Sequence, residues 1–140
     1  MRIFLDANIL FSAAKSPGAV HRLMGMLLDR KHILCADEYV VAEARRNLSA
    51  KASNDSLVSL DDWLTRVDVA PAKPGDVDSP ATEWLPVKDR PVLASAIRLG
   101  CAALVSGDVT HFGAGFGKSY GGVAIYSPRL LAEALRLTKG

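Results

Sequence analysis

The chain has 140 residues, close to the usual size of one domain, and 49% of them are hydrophobic, which excludes a disordered chain. Its formal net charge is only +2, so bulk charge names no nucleic-acid or membrane partner, and any such attraction must come from local basic clusters. Cys35 and Cys101 lie in apolar runs without metal-ligand spacing, and no uninterrupted apolar run has membrane-spanning length, so we expect a cytoplasmic protein with free thiols.

Short apolar runs alternate along the chain with longer segments whose apolar residues recur every three or four positions. The short runs are typical of strands buried on both faces, and the longer segments of amphipathic helices. Asp37 and Ser127 are predicted helix N-caps, and Gly100 a helix stop. In chain order the predicted elements are strand 2–5, helix 8–16, helix 19–31, strand 32–36, helix 37–51, helix 56–67, strand 67–71, helix 89–100, strand 101–106, a strand centred on 123–126, and helix 127–137.

The least regular stretch is residues 71–88, which contain four prolines. We interpret it as a loop with one helical turn at "ATEWL", residues 81–85. No repeat or second domain is visible, so residues 1–140 form a single predicted domain. Strands that alternate with helices predict an α/β fold with a mainly parallel sheet of about five strands.

Acidic residues stand where predicted strands and helices begin or end. Asp6 follows the strand "RIFL", and Asp108 follows "CAALVS"; parallel sheets bind ligands beyond the carboxyl ends of their strands. Glu43 lies in the third helix and Asp89 opens the fifth. If these four carboxylates share one pocket they repel one another, and Mg²⁺ or Mn²⁺ is the usual remedy. Such a cation suits phosphoryl chemistry.

Each of these residues also has an ordinary structural interpretation. Asp6 and Asp89 could cap the helices that follow them, and Asp108 could belong to a turn. Glu43 alone is typical of a solvated helix position. His111 is more typical of a packing or capping histidine than of a metal ligand. The joint placement of the acids favours a site over four unrelated roles.

The chain resembles the PIN-domain nucleases, which include the VapC-type toxin ribonucleases. The resemblance rests on "FLDANIL", the glutamate of "VVAEARRNL", "KDRPVLASAIRLG" and "LVSGDVTHF". It implies strand order 3-2-1-4-5 and a metal-dependent endoribonuclease that leaves a 5′-phosphate and a 3′-hydroxyl. The implied catalytic acids are Asp6, Glu43, Asp89 and Asp108, with Asp6, Asp89 and Asp108 as metal ligands and Asn8 and Ser106 as supporting residues.

The resemblance also leads to expectations about substrate and partners. Single-stranded RNA is the expected substrate, an antitoxin protein and a second copy of the chain are the expected protein partners, and no membrane is involved. Phosphate contacts position a nucleic acid without specifying its sequence. The candidate phosphate-binding residues are Lys15, Arg45, Arg46, Lys88 and Arg90.

Two other functions remain open at this stage. A haloacid-dehalogenase-type phosphohydrolase also begins with a strand followed by aspartate, but that class needs a second aspartate two positions later, where this chain has Asn8. A PIN-like module with an idle site could bind RNA or protein without catalysis. The long proline-rich loop before Asp89 departs from the compact toxins and leaves the substrate and partner unspecified.

Overall fold

The sheet forms from the short apolar runs of the sequence. The computed structural model describes residues 1–73 and 79–137, so part of the predicted proline-rich loop, with Pro74, lies outside the described residues. Ile3, Phe4 and Leu5 are fully buried, and because successive strand residues face opposite sides, this strand is covered on both faces. The strands are β1 (Arg2–Leu5), β2 (Ile33–Asp37), β3 (Asp68–Ala70), β4 (Ala103–Val105), β5 (Ser119–Tyr120) and β6 (Val123–Tyr126).

The strands form one sheet in the order β3-β2-β1-β4-β6-β5. The pairs among the first five strands of this order are parallel, and β5 pairs with β6 antiparallel. The predicted order 3-2-1-4-5 is thus confirmed, with β6 as the predicted fifth strand. The added strand β5 belongs to a hairpin whose loop residues Gly121 and Gly122 have φ of 58° and 83°, as a two-residue type I′ turn requires.

Helices fill the connections between the parallel strands. The predicted N-caps are confirmed: Asp37 accepts from the Val40 amide at 3.1 Å, and Ser127 accepts from the Leu130 amide at 3.1 Å. Among residues 1–73 and 79–137, no helix is long and apolar enough to cross a membrane. The helices are α1 (Ala7–Lys15), α2 (Ala19–Asp29), α3 (Glu38–Lys51), α4 (Asn54–Leu64), α5 (Arg90–Arg98), α6 (Val109–Phe112) and α7 (Pro128–Ala134).

The two central strands end at the same level of the sheet. Leu5 pairs with Val105, and the Asp6 amide donates to the Val105 carbonyl at 3.1 Å. The Ser106 amide donates to the Tyr126 carbonyl of the next strand at 3.0 Å. The chain leaves β1 toward β2 on one side and returns through β4 on the other, and ligands of open α/β sheets bind at such a reversal.

The segment that leads to Asp89 is anchored by the Trp84 indole. This ring stacks on Tyr120, with ring centres 4.5 Å apart, and meets Phe112 edge-on at 6.0 Å. Phe112 is fully buried and is the last residue of α6. Trp84 therefore fixes the segment before α5 against α6, the helix that follows Asp108.

Replacement of Gly115 tests this anchor. An added Cβ at Gly115 would overlap the Trp84 ring, with Cζ3 at 2.8 Å, whereas a Cβ at Gly113 would meet only Val109 Cγ1 at 3.4 Å. Overpacking of this kind costs about 1–3 kcal/mol, so Gly115→Ala should lower the unfolding free energy by that amount in urea titrations. Gly113→Ala is the control, and equal effects of the two substitutions would contradict the anchoring role.

Candidate active site

Asp6 lies at the junction of β1 and α1 and is only 7% exposed. Its Oδ1 accepts a hydrogen bond from the Ala7 amide at 2.8 Å, which caps α1. Its Oδ2 accepts from the Ser106 hydroxyl at 2.7 Å and from the Asn8 amide group at 3.2 Å. The carboxylate is therefore held in one orientation by groups from both central strand ends.

Asn8 and Ser106 extend this network to the loop after β4. Asn8 Oδ1 accepts from the Gly107 amide at 2.7 Å, and Ser106 Oγ accepts from the Asp108 amide at 3.1 Å. A Cβ at Gly107 would lie 3.3 Å from Asn8 Oδ1, so glycine permits this close approach. The structure thus places both predicted supporting residues in contact with Asp6 and with the backbone that carries Asp108.

Asp89, Asp108 and His111 form a second cluster beside the first. His111 Nδ1 lies 2.9 Å from Asp89 Oδ2 and 3.0 Å from Asp108 Oδ2, and the three ligand atoms are all within 4.8 Å of one another. Asp89 Oδ2 and His111 Nδ1 are shielded from solvent, and within the described part of the chain neither has a partner at hydrogen-bond geometry. Carboxylate oxygens beside an imidazole nitrogen make a donor set that fits a divalent cation.

Glu43 stands at the rim of the site on α3. It is partly exposed and borders a cavity of about 210 Å³ that is also lined by Asn8, Phe11, Asn47 and Lys51. Its charge raises the pKa of Asp6, which puts it within electrostatic reach of that carboxylate. The four predicted acids therefore lie at one end of the sheet, with Asp89 and Asp108 in the cluster around His111 and Glu43 outside that cluster.

Burial and like charge perturb two of these acids. Burial raises the pKa of Asp6 from 3.8 to about 6, and Glu43 and Asp89 add to the rise. Hydrogen bonds from Ser106 and from the Ala7 amide oppose it because they stabilise the charged form. Burial also raises the pKa of Asp89. Without a cation, the folded state therefore favours protonated carboxyl groups at this end of the sheet.

Tyr39 lies beside the predicted acids, a position that the sequence does not reveal. Its hydroxyl donates to the Lys88 carbonyl at 3.0 Å and so ties α3 to the turn before Asp89. Burial, Glu43 and Asp89 raise the pKa of this hydroxyl, whereas Arg46 and Lys88 lower it. Tyr39 therefore lies near two acidic residues, Glu43 and Asp89, and two basic residues, Arg46 and Lys88.

The predicted basic residues fall into two groups. Arg46 and Lys88 are exposed and flank Tyr39. Arg45 forms an ion pair with Asp61 at 2.7 Å, and the Arg90 guanidinium donates to the Leu85 carbonyl at 2.9 Å and to the Glu83 carbonyl at 3.3 Å. Lys15 lies at the far end of α1, 5.4 Å from the Phe11 ring centre.

The expectation for His111 requires correction. Its imidazole is not packed in the core or used as a cap but stands between two acids of the site. No helix is predicted at this position from the sequence. In the structure Asp108 caps α6 and accepts from the His111 amide at 3.0 Å, and side chains three positions apart at a helix start are neighbours.

Comparison with known proteins identifies a family model and several solved structures with a similar fold. A family model of the PIN domain matches residues 2–110, and no curated sequence matches the chain significantly. VapBC2 from Rickettsia felis, bound to a DNA fragment from their promoter, superposes with a TM-score of 0.66 at 16% identity, over 91% of this chain and 98% of that chain.

Two further solved structures are similar. VapC20 of Mycobacterium tuberculosis, a Sarcin-Ricin loop cleaving toxin, has a TM-score of 0.59 and 19% identity over 84% of this chain and 98% of its own. FitAcB from Neisseria gonorrhoeae has a TM-score of 0.58 and 17% identity over 91% of this chain and 98% of its own. At these identities the likeness concerns the fold.

The raised pKa of Asp6 predicts an unusual pH dependence of stability. Protonation at Asp6 favours the folded state, so in EDTA the unfolding free energy should fall as pH rises from 3.8 to about 6. Asp6→Asn keeps a capping residue but has no charge to desolvate, so at neutral pH it should stabilise the metal-free protein by up to about 3 kcal/mol.

Urea titrations from pH 4 to pH 8 measure this dependence. The control is Asp62→Asn, an exposed α4 residue paired with Arg66, which should leave the profile unchanged. A residual slope in Asp6→Asn is expected from Asp89, whose pKa is raised in the same direction. Stability of the wild type that is flat or rises across this pH range would contradict the prediction.

Proposed function

The chain belongs to the PIN-domain family, whose model covers most of its length, and from that premise we propose that it is a divalent-metal-dependent endoribonuclease. The observation that carries the proposal is the convergence of acids from β1, α3, α5 and the end of β4 on one end of the sheet. Proteins rarely gather like charges at close range without a bound cation or a catalytic role.

The residues of the site would have different roles in phosphodiester hydrolysis. A bound Mg²⁺ or Mn²⁺ supplies an oriented, acidified water molecule and stabilises charge on the phosphoryl group. Asp6, Asp89 and Asp108 would hold this cation, and Asn8 and Ser106 keep the Asp6 carboxylate oriented. Glu43, at the open rim, would orient the attacking water. The water would lose a proton as it attacks phosphorus, the P–O3′ bond would break, and O3′ would take up a proton from solvent, which leaves a 5′-phosphate and a 3′-hydroxyl.

A single RNA strand would approach the site across α3 and the turn before α5. Arg46 and Lys88 are exposed beside Tyr39, so their charges are free to meet phosphates. Arg45 is paired with Asp61 on α4, so its charge already has an acidic partner outside the proposed site. We therefore propose Arg46 and Lys88 as the principal phosphate contacts among the basic residues.

We further propose that the chain is the toxin of a toxin–antitoxin pair. Support comes from the similar fold of VapC20, a toxin, and of VapBC2, which binds a promoter fragment. An antitoxin protein would be its partner, and homodimerisation remains a proposal. A cytoplasmic location suits the two buried free cysteines, since thiols persist in reducing compartments.

Cleavage of single-stranded RNA tests the proposed activity. The wild type should cut RNA with Mg²⁺ or Mn²⁺ and stop in excess EDTA. Asp108→Asn should lower the cleavage rate by at least roughly 100-fold. Mutation of a residue that only hydrogen-bonds to a metal ligand already lowers activity by up to about 100-fold, and loss of a direct ligand should cost at least as much. Circular dichroism should remain native.

Asp29→Asn is the matched control, since Asp29 ends α2 at the opposite end of the sheet. Wild-type cleavage by Asp108→Asn would contradict the assignment. Release of phosphate from an aryl phosphate without RNA cleavage would favour the haloacid-dehalogenase-type alternative. RNA binding without any cleavage would favour the non-catalytic module.

Neighbouring arginines offer a matched test of the substrate path. Each phosphate contact on a single strand contributes about 0.7 to the slope of log affinity against log salt. Arg46→Ala should therefore weaken RNA binding and reduce this slope by about 0.7, whereas Arg45→Ala should leave the slope unchanged because Arg45 is paired with Asp61. Fluorescence anisotropy at several salt concentrations measures both, and identical slopes for the two variants would contradict the proposed path.

A further inference from the structure

We propose that His111 is a nitrogen ligand of the metal ion and biases the site toward Mn²⁺ over Mg²⁺. The inference rests on the proposed function, because it concerns the cation that the nuclease site would hold. It adds a residue outside the four acids and a preference between the two candidate ions. Its basis is the placement of one imidazole nitrogen between two carboxylates.

The distances suit ligands that share one ion. His111 Nδ1 lies 2.9 Å from Asp89 Oδ2 and 3.0 Å from Asp108 Oδ2. Adjacent ligand atoms of an octahedral ion at about 2.1 Å are separated by about 3.0 Å. The three side chains therefore need little rearrangement to face a common centre, and the shielding of Asp89 Oδ2 and His111 Nδ1 from solvent leaves the two atoms oriented toward the cluster.

The backbone around His111 keeps this arrangement in place. Asp108 uses Oδ1 to accept from the His111 amide at 3.0 Å, so its Oδ2 remains available to the cluster. The next residue, Phe112, is fully buried and meets the edge of the Trp84 ring. His111 thus lies on a short helix that the buried Phe112 side chain anchors, and 28% of the His111 side chain is exposed.

A nitrogen donor changes which ion the site prefers. Mg²⁺ is a hard ion that takes oxygen ligands, whereas Mn²⁺, although it also suits oxygen ligands, is a first-row transition ion and belongs to the series that mixed N/O sites bind, at its weak end. A site built from carboxylates alone would discriminate weakly between Mg²⁺ and Mn²⁺. The same site with His111 as a ligand should favour Mn²⁺.

Pulsed electron paramagnetic resonance of the Mn²⁺-loaded protein tests the ligand directly. The wild type should show ¹⁴N modulation from a coordinated imidazole, and His111→Asn should lose it. His32→Asn is the control, because His32 lies at the amino end of β2, with Nδ1 3.0 Å from the N-terminal amine. Calorimetric titrations should show Mn²⁺ affinity at least about tenfold weaker in His111→Asn, with a smaller loss for Mg²⁺.

The outcomes separate this inference from the proposed function. Mn²⁺ binding without ¹⁴N modulation in the wild type, or an unchanged ratio of Mn²⁺ to Mg²⁺ affinity in His111→Asn, would overturn it. Nitrogen coupling in a protein that cuts no RNA would support the ligand assignment and refute the nuclease. Absence of any Mn²⁺ binding would refute both.

Discussion

The buried carboxylate of Asp6 joins the two central strands of this protein at the point where both end. Its oxygens accept hydrogen bonds from the first residue of α1, from Asn8 and from Ser106. The bonds from Ser106 and from the Ala7 amide oppose the rise in the pKa of Asp6 that burial causes, but they do not cancel it. The rest of the site depends on this balance, because Asn8 and Ser106 also hold the backbone that leads to Asp108.

Packing of the apolar core offsets the free-energy cost of burying the Asp6 carboxylate. Ile3, Phe4 and Leu5 of β1 and all three residues of β4 are fully buried and apolar, so the polar groups of the site concentrate in the first residues after each strand. Trp84 and Phe112 then fix the segments that present Asp89 and His111. A site that disfavours folding in the absence of a cation can persist because packing elsewhere over-determines the positions of its side chains.

The sequence predicts most of the fold because its signals are local. Apolar runs mark β1, β2 and β4, and Asp37 and Ser127 cap helices as predicted. The hairpin of β5 is short, and its Gly-Gly turn is a local signal that the prediction did not use. His111 and Tyr39 were missed for another reason: their roles arise from contacts with Asp89 and with the Lys88 carbonyl, which exist only after the helices pack.

Helix capping and membership of the acidic site are not competing explanations for these aspartates. Asp6 and Asp108 each use Oδ1 as a cap acceptor and direct Oδ2 elsewhere, toward Ser106 in one case and His111 in the other. Asp89 also precedes a helix, but its side chain makes no capping hydrogen bond, and its Oδ2 faces His111 instead. Capping explains why aspartate is favoured at positions 6 and 108. It does not explain Asp89, whose partly buried carboxylate belongs to the cluster with Asp108 and His111.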